Sequence, residues 1–84
     1  STGITATAEE IPDGIVVLTI QSPVLLQTVS LACDTHLPED NHFHLAPGRS
    51  KRIRFTPAGG SAPRFKVHLA ALNLRDSITV RTDG

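Results

Sequence analysis

His42 and His44 stand two residues apart, a spacing that on a β-strand sends both rings from one face. A third His or Cys from a neighbouring strand would complete a tetrahedral zinc site. Cys33 is the one thiol of the chain, and the alternation of its own segment turns it inward while the two histidines turn outward. His36 and His68 have no fixed relation to the pair. The bare pair therefore reads as exposed side chains on an edge strand, and Cys33 as a small core residue with nothing beside it to mark a nucleophile. No metal ligand and no cofactor site is assigned.

Hydrolysis of sugars needs two carboxylates facing each other across a cleft. Glu9 and Glu10 point to opposite faces of any strand that holds them, and Glu39-Asp40 falls in a loop without pocket-forming sequence around it. The eight carboxylates thus read as solvated loop and edge charges. Gly59-Gly60 lacks the Lys-Ser/Thr of a phosphate-binding loop, and no Ser-His-Asp pattern with a nucleophile elbow occurs. No catalytic residue is assigned.

The elements that would carry these residues follow from periodicity. Residues 14–22 hold Ile15, Val16, Val17, Leu18 and Ile20 between Pro12-Asp13-Gly14 and Ser22-Pro23, a β-branched run between two turns. Over residues 24–33 the odd positions Leu25, Val29, Leu31 and Cys33 are apolar, with Gln27 breaking the row. Residues 42–45, 51–56 and 64–69 alternate, the last most cleanly, with Phe65, Val67 and Leu69 on one side. A one-residue slip there would bury Arg64 and Lys66, so the register is firm. Residues 65–78 also fit a helical spacing through Phe65, Leu69 and Leu72. The return of β-branched residues favours a strand ending near Ala70, a turn around residues 73–77 and a last strand over 78–81. With residues 4–8 as a weak first strand, roughly seven short strands spaced by ~8–12 residues predict an all-β, immunoglobulin-like antiparallel sandwich. Turns fall at Pro12-Asp13-Gly14, Pro47-Gly48 and Gly59-Gly60.

A chain of 84 residues allows one domain, residues 1–84, with no repeat or linker, and its single Cys leaves no internal disulfide. No apolar run approaches the roughly 20 residues that span a bilayer, and the start lacks a basic-then-apolar signal, so a soluble chain without a membrane partner is expected. The lone thiol fits a cytoplasmic compartment without excluding a periplasmic one. The absence of Met, Trp and Tyr and the Ser1 start suit a monomeric piece excised from a longer protein. Charge is split along the chain. Residues 1–40 carry six acidic residues and no Lys or Arg, whereas residues 41–84 carry all eight bases against Asp76 and Asp83. A basic half raises the question of nucleic acid. In a sandwich, however, Arg52/Arg54 and Arg64/Lys66 belong to opposite sheets, and no outward aromatic is there to stack on bases. No nucleic-acid partner is expected. A carbohydrate-binding module is the competing function, but such modules hold a pyranose on exposed Trp or Tyr. The three aromatics here, Phe43, Phe55 and Phe65, all fall on inner rows.

Residues 39–48, Glu-Asp-Asn-His-Phe-His-Leu-Ala-Pro-Gly, followed by the strand over 51–56, are similar to the C-terminal immunoglobulin-like domain of β-mannosidases in glycoside hydrolase family 2. That pattern runs Ser-Asp-Asn, two aromatics, Asp-Leu-Leu, Pro-Gly-Glu, then a basic strand; Asp40, Asn41, Phe43, Leu45, Pro47 and Gly48 match it. Residues 72–77 resemble the segment near that domain's end, and residues 15–33 fit its opening core strands. His42, His44 and Arg49 depart from the pattern by changing surface charge and polarity. The resemblance implies a non-catalytic accessory domain whose partner is the catalytic (β/α) barrel of the same parent chain, where the two catalytic Glu residues lie. No residue here matches a catalytic position. Read physically, Asp40 and Asn41 bond nearby backbone N–H groups to set a turn, Phe43 and Leu45 enter the sandwich, and Pro47-Gly48 reverses the chain toward Ile53 and Phe55.

Overall fold

The structure is a computed structural model and describes residues 3–58 and 64–82. Eight strands form among these residues: β1 (Thr5–Glu10), β2 (Val16–Gln21), β3 (Leu26–Cys33), β4 (His36–Pro38), β5 (Phe43–Leu45), β6 (Ser50–Pro57), β7 (Lys66–Ala70) and β8 (Ile78–Arg81). They make two four-stranded sheets, ordered β1-β2-β6-β4 and β5-β3-β7-β8, with every strand pair antiparallel. The two layers are the expected immunoglobulin-like sandwich. A parallel bridge, Ala8 to Thr82, joins the edges of the two sheets.

The period-2 pattern works as the residues demand. Val16, Leu18 and Ile20 of β2 and Ile53 and Phe55 of β6 point inward from one layer; Leu26, Val29 and Leu31 of β3, Val67 and Leu69 of β7, and Phe65 meet them from the other. Phe55 and Phe65 touch edge to face across the layers, centroids 5.1 Å apart and planes at 78°. That geometry sets the positive ring edge on the negative face. The residues 65–78 resolve as a strand, a turn and a strand, with no helix.

Three sequence expectations change. Residues 36–38, assigned to no element from the sequence, form the edge strand β4, which makes eight strands where roughly seven are expected; Pro38 is tolerated there because an edge leaves its missing N–H unneeded. The odd apolar row of β3 fails at its start. Leu26 is buried and Leu25 stands 40% exposed, because a bulge between Leu26 and Val29 inserts a residue and shifts the phase. Thr28 carries that bulge at φ 48°, a region costly for a β-branched side chain. Phe43 and Cys33 are half-buried at the margin of the core instead of inside it. The Pro12–Gly14 turn forms as expected, with Asp13 and Gly14 both in the left-handed region at φ 74°, and is closed by Ile11 N–H on Ile15 O at 2.8 Å. The Gly59-Gly60 turn lies outside the described residues.

Candidate functional site

Residues 39–48 cross from the first sheet to the second, and their polar side chains bond the backbone of both. Glu39 donates its N–H to Arg54 O at 2.9 Å and accepts the Arg54 N–H on Oε1 at 2.9 Å, so its side chain prolongs the β4–β6 ladder. Asp40 accepts the Asn41 N–H on Oδ1 at 2.9 Å and meets Lys51 Nζ with Oδ2 at 2.8 Å. The Lys51 ammonium, bonded to the carboxylate, and then the Asn41 N–H hold Asp40 below its ordinary pKa of 3.8. Lys51 also lies 4.7 Å from the centre of the Phe43 ring, covering a face that would otherwise be open.

Asn41 does more than the sequence suggests. Its Oδ1 accepts the His42 N–H at 2.9 Å, as expected for a turn, but also the Leu31 N–H at 2.8 Å, while Nδ2 donates to Leu31 O at 3.1 Å. The β3–β5 pairing ends at Val29 opposite Phe43, so Leu31 lies beyond the end of β5. One amide side chain replaces the missing strand there. Further along, Leu45 is buried opposite Leu26, and Gly48, at φ 73°, donates its N–H to Ser22 O at 2.8 Å. A Cβ on Gly48 would meet nothing within 4 Å, so it is the backbone angle that calls for glycine.

The structure separates the other candidates. His42 sits at φ 57° before β5 begins, so the alternation that would align it with His44 does not reach it. His44 is exposed, and its Nδ1 accepts the Thr28 N–H at 3.0 Å, serving the bulge. Among the described residues no three His, Cys, Asp or Glu gather as a metal site. Cys33 approaches the Thr35 hydroxyl at 3.6 Å. Arg52 and Arg54 project from β6 in the first sheet and Lys66 from β7 in the second, as the sandwich requires. The arginines border an open groove of about 400 Å³ with Ile11, Val17 and Glu39. Glu9 and Glu10 are exposed at the end of β1.

Two polar residues were missed by the sequence reading. Asn73 accepts the Gln27 N–H at 2.9 Å and donates to Leu25 O at 2.6 Å, pairing the start of β3 much as Asn41 pairs its middle. Its place in a turn signals the residue type but not a partner more than forty positions away. His36 is buried, edge-on to Phe65 with centroids 5.2 Å apart. Since Gly14 O at 3.1 Å is an acceptor, Nε2 carries the hydrogen, and Nδ1 then takes the Thr35 hydroxyl proton at 2.7 Å. An imidazole that fills both of its nitrogens this way acts as a core residue.

Two antiparallel layers, with Glu39, Asn41 and Asn73 bonded through their side chains to strand backbone, define a β-sandwich of the immunoglobulin kind. A family model for the mannosidase Ig-fold domain matches residues 1–82. The chain belongs to that family. No curated protein and no solved structure matches it.

Proposed function

We propose that this chain is a non-catalytic accessory domain of a β-mannosidase of glycoside hydrolase family 2, docked on a separate catalytic barrel of the same parent polypeptide. The family match over residues 1–82 carries the reading. The geometry supports it: Glu39, the acid that lines the groove along β6, accepts the Arg54 N–H, and Asp40 next to it in sequence is paired with Lys51. A glycan platform finds less support, because Lys51 already occupies the one half-buried phenyl ring.

The test is a deletion. Removing residues 1–84 from the parent leaves a polypeptide that still turns over aryl β-mannosides but melts at a lower temperature, and adding manno-oligosaccharides to the 84-residue chain gives no saturable heat. Loss of every catalytic group with the deletion, the remainder staying folded, would overturn the reading.

A further inference from the structure

Among the described residues four large apolar side chains stand open to water: Val24 at 46%, Leu25 at 40%, Leu37 at 63% and Leu72 at 77%. Leu37 is alone on β4. Val24, Leu25 and Leu72 share one end of the sandwich, where the β2–β3, β5–β6 and β7–β8 connections converge. These connections are tied to one another. Leu72 N–H donates to Gln27 O at 2.8 Å, Asn73 clamps Leu25 O and Gln27 N–H, and Gly48 N–H reaches Ser22 O. Ser22 is fully buried, and its hydroxyl donates to Val24 O at 2.8 Å while accepting the Val24 N–H at 3.1 Å.

A connection that only links strands has no need of this bracing, and exposed leucines gain nothing from being held still in water. Held rigid, they dock with the ordering cost already met. The chain itself indicates what covers them. β1 starts at this same end, Thr5 pairing with Gln21, and Gly3 lies so near the Pro23 ring that a Cβ on it would sit 3.2 Å from Cγ. The chain thus enters β1 next to Pro23, the neighbour of Val24, and a domain joined there would be kept at high effective concentration near this end. The groove along β6 is a poorer dock, since covering it would strip water from both the Arg52 and Arg54 guanidiniums, which make no ion pair among the described residues.

We propose that the end bearing Val24, Leu25 and Leu72 is the surface on which the domain preceding β1 in the parent packs, presenting an apolar face of its own. The proposal rests on the accessory-domain reading above. It is tested by hydrogen exchange in the full parent polypeptide, wild type against Leu25→Asp/Leu72→Asp and against Arg52→Glu/Arg54→Glu, with residues 65–70 as the internal gauge of the fold. Exchange over residues 22–27 and 71–76 should quicken at least about tenfold in the leucine variant, leave residues 65–70 unchanged, and stay at the wild-type rate in the arginine variant. Should residues 65–70 quicken too, Leu72→Ser, which removes the most exposed leucine with less disturbance, is read in the same way. No change in the leucine variants overturns the inference. A release seen only in the arginine variant overturns it while leaving an accessory domain docked by its sheet face, and no release in either variant overturns both.

Discussion

Asn41→Ala removes one side chain and strands three backbone groups. The Leu31 N–H and C=O lose the Asn41 amide beyond the end of β5, and the His42 N–H loses the turn bond. Each bond contributes about 1 kcal/mol net, and a buried group left unpaired costs about 1–3 kcal/mol. The two Leu31 bonds are part-buried, which puts each lost group at the low end of that range, and His42 is exposed and regains a bond from water, so the sum for the variant is about 2–3 kcal/mol. For a domain of this size that lowers Tm by about 10–20 °C. Thermal and urea melts followed by far-ultraviolet circular dichroism measure it. Asn41→Asp separates the roles of the two amide atoms. The introduced carboxylate still accepts from Leu31 and His42 but faces Leu31 O with like charge, so at pH 7 the variant should lose most of what Asn41→Ala loses. It should recover as acid protonates the carboxyl and restores a donor. An alanine variant melting within about 2 °C of wild type, or an aspartate variant indistinguishable from wild type at pH 7, would show that this amide does not complete the ladder.

Asp40 is held below its ordinary pKa, so its contribution is present above that value, near 3.8, and disappears as pH falls through the lower folded-state pKa. The stability gap between wild type and Asp40→Asn should therefore close between about pH 5 and pH 2 in urea melts, and a gap that widens in acid would contradict the Lys51 pairing. Phe55→Ala empties the contact between the layers and should cost about 3–5 kcal/mol, enough to leave a large unfolded fraction in far-ultraviolet circular dichroism at room temperature. Thr28→Asn keeps a polar side chain at φ 48° but relieves β-branching in the left-handed region, so its Tm should rise by a few degrees, about 0.5–1 kcal/mol; a fall would place no strain at the bulge.

The layered fold was legible because alternation survives wherever strands are regular. Phe65, Val67 and Leu69 fall inward as their spacing demands, and β-branched Ile78 and Val80 outweighed the helical reading of the preceding residues. The phase of β3 was not legible. Nothing in Leu25-Leu26-Gln27-Thr28 announces a bulge, since Thr is a poor residue for positive φ, and one inserted position exchanged Leu25 for Leu26 in the core. β4 was hidden because a three-residue edge strand with a Pro shows no period. The Asp40-Asn41 turn could be read from side-chain chemistry, but the reach of Asn41 to Leu31 depends on where β5 stops relative to β3, which is tertiary information. The same holds for Asn73, whose partners Leu25 and Gln27 lie at the start of β3, in the other half of the chain. Phe43 was placed inside on alternation alone; it sits at the margin because β5 is short and the Lys51 side chain shares its surface.

The account turns on whether chemistry resides in this sandwich, and the decisive measurement is the turnover of an aryl β-mannoside by the purified 84-residue chain, folded by its circular dichroism. The account predicts release of aglycone no faster than in buffer. Saturable turnover that follows the chain through purification and is abolished by Glu39→Gln would contradict it.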